Sequence, residues 1–346
     1  MLLANPVIDS YLNFLYDSQT QIERMLKNKS KPLRWRLPRA SLIAIFLLIS
    51  CGNRATPAPK PQSPPPFEFL GSWGEKGDSP GKLDAPVSMA GDSLGNVFFA
   101  DSGSGFIHKF ESRGTPLFSF EEARARHATG IAVDSGGAIY LAAAQQGSIF
   151  VFLPDGNILQ TWRSAPQRHF SGVLGITVDD QGNLYVPDPA GWRVDKIDSR
   201  GHQVKFWTAT KPLPSDPRPS SVATSSDGSV FVAYAQPGSI TKFNSDGKRI
   251  SSWSTIENPP PDSPPMTGFT IGGQFVFTMA ASSSQIRVWT LDGQHKLDAD
   301  LAAYIGTTAI AAPQIVVNPH SELLVFDPAA PKVFRFRLHL DYKEQL

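Results

Sequence analysis

The sequence predicts an all-β fold, a six-bladed β-propeller of four-stranded antiparallel blades, on three observations. First, a short apolar strand recurs six times after a turn: Val97-Phe98-Phe99, Ile139-Tyr140-Leu141, Leu184-Tyr185-Val186, Val230-Phe231-Val232, Phe275-Val276-Phe277 and Leu323-Leu324-Val325. Successive starts lie 42, 45, 46, 45 and 48 residues apart, and a period in the forties with several strands per unit marks a propeller blade. Second, a further strand begins at Ile107, Ile149, Val194, Ile240, Ile286 and Val333 and keeps step with the first series. Third, the last unit lacks its outer strand, while an additional aromatic strand precedes the first unit.

Each blade follows from local chemistry. The second series alternates apolar and polar residues, as in Ile240-Thr241-Lys242-Phe243, which suits a half-buried strand. Tight turns follow at Arg113-Gly114, Asp155-Gly156, Arg200-Gly201, Asp246-Gly247 and Asp292-Gly293, where glycine supplies the positive φ of a hairpin. An outer strand then ends on Phe120, Trp162, Trp207 or Trp253; the fifth unit departs, with Ala299 at that offset. Segments such as Gly130-Ile131-Ala132-Val133 and Gly175-Ile176-Thr177-Val178 open their units with small residues that fit a crowded inner strand. The count of four strands per unit is that of a propeller blade. Phe67-Glu68-Phe69-Leu70-Gly71-Ser72-Trp73 carries the aromatic missing from the sixth unit, so it is expected to pair with the C-terminal strands and close the ring, hiding two sheet edges.

The run Gly71-Ser72-Trp73-Gly74-Glu75-Lys76-Gly77, followed by Gly81-Lys82-Leu83, Pro86, Gly95-Asn96-Val97, Ala100-Asp101, Ile107-His108-Lys109-Phe110 and Gly114, resembles a bacterial-type NHL repeat. The resemblance covers about residues 67–340 and is closest in the first unit. It implies a six-bladed propeller, in the wider group that includes gluconolactonase-like and amidating-lyase-like enzymes. The lactonase-type relatives use a glutamate at the head of the first inner strand, with asparagines and an aspartate from later blades; here that strand reads Pro86-Val87-Ser88-Met89 and has no glutamate.

The chain ahead of the ring divides into three expected segments: an irregular or non-native leader (1–24), a lipoprotein signal (25–50), and a lipidated cysteine with a proline-rich tether (51–66). Residues 40–50 form an apolar run, too short for a membrane span of about 20 residues and of the length of a secretory signal's hydrophobic region. Lys27, Lys29, Lys31, Arg34, Arg36 and Arg39 precede it, and Cys51, the only cysteine, follows it directly. Leu48-Ile49-Ser50-Cys51 resembles a lipoprotein box, which implies a diacylglycerol on the thiol and cleavage before it; several acyl chains anchor firmly where one is marginal. Residues 52–66, with six prolines, cannot build a core and read as an extended spacer of about 3.1 Å per residue.

Seven of the 32 basic and three of the 31 acidic residues fall in 1–51, leaving 25 and 28 and a net charge of −3 for the remainder. No nucleic-acid footprint is present, and no disulfide can form inside the ring.

Loops between blades and between the two middle strands share one face. His127 and His169 precede the inner strands of adjacent units and are expected as neighbours at the channel mouth; Asp101 and Asp188 follow the second strands of units one and three on the same face. His127, His169 and Asp188 together would suit a divalent metal, Ca²⁺ or Zn²⁺, or proton transfer, although the position of Asp101 also suits a turn cap. No HxxxH pair is present. Ser102-Gly103-Ser104-Gly105 lies in a loop between strands and is no nucleophile elbow. Two proline-rich loops, 211–219 and 258–265, offer rigid surfaces, and Arg126, Arg168 and Arg218 could attract an anionic glycan or carboxylate. The expectation is a membrane-anchored extracytoplasmic lipoprotein on a bacterial membrane whose propeller binds a protein or glycan without chemistry. The alternative is a metal-dependent hydrolase or lyase.

Overall fold

The structure is a computed structural model that describes residues 64–143, 146–163, 175–208, 217–234, 236, 238–256, 263–306 and 309–340. All belong to the compact unit Pro64–Leu346. Cys51, the leader, the apolar run, the tether up to residue 63, Arg168 and His169 lie outside the described residues.

The chain opens with β1 (Phe67–Trp73). Blade 1 is β2 (Pro86–Gly91), β3 (Val97–Asp101), β4 (Phe106–Phe110) and β5 (Pro116–Glu121); blade 2 is β6 (Gly130–Val133), β7 (Ile139–Ala143), β8 (Ser148–Phe152) and β9 (Ile158–Arg163). Blade 3 is β10 (Thr177–Val178), β11 (Leu184–Asp188), β12 (Arg193–Ile197) and β13 (Gln203–Thr208); blade 4 is β14 (Pro219–Thr224), β15 (Val230–Tyr234), β16 (Ser239–Phe243) and β17 (Arg249–Ser254). Blade 5 is β18 (Met266–Gly272), β19 (Phe275–Ala280), β20 (Gln285–Thr290) and β21 (His295–Asp300), and a single helical turn, α1 (Ala302–Ile305), leads to blade 6, with β22 (Gln314–Val317), β23 (Glu322–Asp327) and β24 (Lys332–Leu338). These strands form six antiparallel four-stranded sheets, and the inner strands β2, β6, β10, β14, β18 and β22 contact one another in a closed ring.

Closure occurs as the sequence implies. β1 pairs antiparallel with β24, Phe67 opposite Leu338, Phe69 opposite Phe336 and Trp73 opposite Val333, and supplies the missing outer strand. The pairing is extended by the His339 N–H donating to the Pro66 carbonyl at 3.0 Å. No helix among the described residues is long and apolar enough to cross a membrane.

The second strands are deeply buried because blades pack on both of their faces: β3, β7, β11 and β15 are buried at every position. Turns into these strands are capped from within. Asp134 Oδ1 accepts the Gly136 and Ala138 N–H groups while Oδ2 accepts the Tyr140 hydroxyl at 3.1 Å; Asp179 does the same for Gln181, Asn183 and Tyr185. Burial and the adjacent carboxylate push both tyrosine hydroxyls well above their ordinary pKa.

The blades are joined by one repeated contact. The aromatic ending each outer strand lies against the turn glycine of the next blade: Trp73 on Gly114, Phe120 on Gly156, Trp162 on Gly201, Trp207 on Gly247 and Trp253 on Gly293. Every one of these glycines has positive φ, between 79° and 93°, and a Cβ there would stand under 3.0 Å from the ring. Glycine is thus required twice, for the turn and for the approach of the neighbouring aromatic. The joint between blades 5 and 6 differs, since the outer hairpin of blade 6 is split between the two chain ends. There Leu301 and Ile305 join a buried cluster with Phe67 and Phe336, and Tyr304 of α1 stacks near Phe69 and Phe336 at 5.9 and 5.8 Å. This explains why Ala299 stands where an aromatic would be: α1 brings one in from outside the strand.

Candidate functional site

The loop face is organised by a recurrent position directly after the buried core of the second strand. Cross-strand register makes Asp101, Ala143, Asp188, Tyr234, Ala280 and Asp327 equivalent, since each follows the partner of the first-listed residue of the next strand series. In blade 1 Asp101 is fully buried and accepts four backbone N–H groups, from Asp84 (2.7 Å), Ala85 (3.0 Å), Gly103 (3.0 Å) and Ser104 (3.2 Å). It ties the approach to β2 to the β3–β4 turn. A carboxylate receiving this many donors is fully occupied in shaping the loop.

His108 lies beneath it, fully buried on β4. Its Nδ1 is 2.9 Å from the Ser119 hydroxyl and its Nε2 is 3.8 Å from Asp101 Oδ2, without a hydrogen bond. Burial lowers the His108 pKa below its ordinary value, opposed in part by the Asp101 charge, so the ring is held neutral at physiological pH.

In blade 3 Asp188 accepts the Gly191 N–H at 2.9 Å and pairs with Arg193 Nη2 at 3.0 Å. Arg193 Nε lies 3.1 Å from Asp195 Oδ1, and the guanidinium sits 5.0 Å from the Phe206 ring centroid. Asp188 is thus bound into a buried network. Asp327 repeats the loop role in blade 6 by accepting the Ala329 N–H at 2.9 Å.

The remaining expected groups divide sharply. His127 is exposed at the end of a 3-10 turn, Ala123–His127, whose Ala125 is buried. Arg126, in the same turn, donates to the carbonyls of Gly103 and Ser104, bracing blade 1 against the crossing to blade 2. Arg218 is exposed and stacks over the Trp192 ring with its guanidinium carbon 4.5 Å from the centroid. Among the described residues no three side chains of His, Cys, Asp or Glu gather in a way that would hold a metal; His169 is outside them. Trp192 was not legible as a site residue. It sits in the β11–β12 turn with φ of 50°, a left-handed conformation seldom used by a large side chain, so no glycine at that position marks the turn in the sequence.

The central channel has a volume of about 490 Å³ and is lined by all six inner strands. Ser88 Oγ accepts the Ile131 N–H at 3.1 Å, and Gln314 Nε2 donates to the Val87 carbonyl at 2.9 Å, stitching neighbouring blades at the channel wall. The described lining contains no His, Lys, Arg or Glu; its acids, Asp92, Asp134, Asp179 and Asp180, lie at the end away from the loop face, and the first three cap turns.

No family model matches this sequence, and no curated protein matches it. Solved structures do share the fold. A streptogramin B lyase superposes with a TM-score of 0.56 at 17% identity, covering 80% of this chain and 89% of its own. Virginiamycin B lyase from Staphylococcus aureus gives 0.56 at 14% identity over 79% of this chain and 99% of its own. A gluconolactonase from Xanthomonas campestris gives 0.56 at 14% identity over 74% and 86%. At identities this low, the superpositions show a shared propeller fold and nothing beyond it.

Proposed function

We propose that the propeller is a binding scaffold, anchored to a bacterial membrane through a lipidated Cys51 and presenting its loop face to a protein or glycan partner. The observation that carries this reading is the division of labour on that face. Asp101 and Asp188 are engaged in holding loops, whereas Arg218 is exposed, with its guanidinium stacked on Trp192. A guanidinium beside an indole suits carboxylate-bearing or sugar ligands: the cation pairs with anions and the ring offers a flat apolar surface. Residues 52–66 would act as the spacer between acyl anchor and ring.

Two experiments test this. A pull-down from extracytoplasmic extract with the lipid-free chain should recover a partner that Arg218→Ala and Trp192→Ala both lose; equal recovery by all three proteins rejects the assigned face. Labelling of cells with a fatty-acid probe should mark the wild type and leave Cys51→Ser unmarked.

A second reading, a metal-dependent hydrolase or lyase, is favoured by one observation: the six-bladed neighbours include proteins described as a streptogramin B lyase and a gluconolactonase. On this reading His127, His169 and Asp188 would hold Ca²⁺ or Zn²⁺, which would supply Lewis-acid activation of a carbonyl. Asp188 would then have to leave Arg193, with which it pairs at 3.0 Å. Elemental analysis separates the readings. A stoichiometric metal lost in the His127→Ala/His169→Ala double variant supports the enzyme, and a metal-free wild type supports the scaffold.

A further inference from the structure

Blade 5 breaks the loop-face pattern in three coordinated places. Ala280 occupies the position of the buried Asp101, Asp188 and Asp327. Pro264 and Pro265 occupy the positions of Asp84 and Ala85, because Ala281 N–H donates to the Pro265 carbonyl as Ser102 N–H donates to that of Ala85. Proline has no N–H, so the two donors that require an acid in blade 1 are absent together with the acid. The β19–β20 turn keeps the length of the β3–β4 turn, with Ser282 at φ of 54° in the place of Gly103. Arg287 takes the position of His108, one residue after the equivalent Ile286 and Ile107.

A cavity of about 490 Å³ opens at this end of blade 5, walled by Ile256, Pro264, Met266, Met279 and Ala280, with Arg287 at its edge. Its described lining includes no Asp or Glu. Arg287 is held in place on two sides: Nη1 donates at 2.7 Å to the carbonyl of Thr255, itself a lining residue, and Nε is 3.7 Å from the half-exposed Asp298, which His295 also engages at 2.8 Å. In blade 2, the other blade with alanine at this position (Ala143), the place of Arg287 is taken by the buried Phe150. Blade 5 alone combines a small residue at the acid position with a cation beside it.

We propose that this cavity is a binding site for a small monocarboxylate with an apolar body, whose carboxylate takes the place of the acid absent from Ala280 and meets Arg287 while its hydrocarbon lies against Met266, Met279 and Ile256. The volume falls in the range of small-molecule pockets, about 300–1,000 Å³, and the lining, apolar side chains with several Ser and Thr, a Gln and one placed cation, is of the usual kind. The two methionines adapt to irregular aliphatic shapes. The site is independent of the partner-binding role of the loop face and stands or falls separately from it.

The test is calorimetric titration of the full-length chain with sodium octanoate and with 1-octanol. Wild type should bind octanoate saturably at one site and octanol at least tenfold more weakly. Arg287→Gln should weaken octanoate at least tenfold and erase the preference over octanol. Ala280→Leu, which fills the cavity with hydrocarbon, should abolish both. Thermal unfolding of each variant confirms that it is folded. Absence of saturable octanoate binding to folded wild type, equal affinity for octanoate and octanol, or undiminished octanoate binding by either folded variant overturns the proposal.

Discussion

The contact that joins the blades makes a quantitative prediction at Gly201. Its φ is 86°, and a Cβ would lie under 3.0 Å from Cδ1, Nε1 and Cγ of Trp162, a residue buried between blades 2 and 3. Alanine there incurs two costs. The left-handed backbone costs a residue with a Cβ about 1–2 kcal/mol, and displacing a packed indole adds about 1–3 kcal/mol of overpacking. Gly228 provides the control. It sits in an equivalent tight turn with φ of 79°, but nothing lies within 4 Å of its Cβ position. Gly228→Ala should therefore lose only the backbone part, about 1–2 kcal/mol. Gly201→Ala should lose about 2–5 kcal/mol, the sum of both parts. Urea unfolding followed by tryptophan fluorescence measures both variants against wild type. If the two substitutions cost the same within about 0.5 kcal/mol, the scatter expected of unrelated surface changes, the aromatic-on-glycine contact does not hold the blades together.

Other outcomes follow from the same structure. Trp73→Ala removes ring contacts with Phe110 (4.9 Å) and Phe99 (6.2 Å) and the indole N–H bond to the Ser112 carbonyl (2.9 Å); it should cost about 3 kcal/mol, the low end for a large aromatic because Trp73 is half-buried, and deletion of 67–73 should abolish cooperative unfolding. Asp101→Ala strands the four N–H groups that the carboxylate accepts and should cost at least about 3 kcal/mol in the same assay. His108 sets a pH dependence. Burial lowers its folded-state pKa beneath the ordinary 6.5, so the unfolded chain binds the proton first; its contribution is intact above about pH 6.5 and is lost as pH falls from there through the folded value. His108→Asn should therefore show a shallower loss of stability than wild type between about pH 7 and pH 5, and parallel slopes would assign the effect to other groups.

The architecture was legible because its signals repeat. Glycine turns, apolar strands and terminal aromatics recur at one period, and even the closing strand was visible as Trp73 displaced to the wrong end of the chain. Sites were less legible because one residue type serves opposite ends. An aspartate after a strand reads equally as a ligand and as a turn cap, and the four donors around Asp101 and the guanidinium against Asp188 come into view only in three dimensions. The blade 5 cavity was hidden for a related reason. Pro264, Pro265 and Ala280 look unremarkable one at a time, and their meaning appears when register sets them beside Asp84, Ala85 and Asp101. Arg218 is visible in the sequence as a charge, but its partner Trp192 depends on a backbone conformation that no pattern of apolar residues encodes.

The pairing of β1 with β24 also has a consequence in time. Phe67 meets Leu338, so a segment that leaves the ribosome among the first of the ring must wait for nearly the last before it finds a partner. Until then it is a bare aromatic strand, of the kind that associates with other unfolded chains or engages chaperones. Closure of the ring should accordingly be late and slow, as for other chains whose decisive contacts lie far apart in sequence, with protease resistance appearing in a single step after Leu338 has emerged.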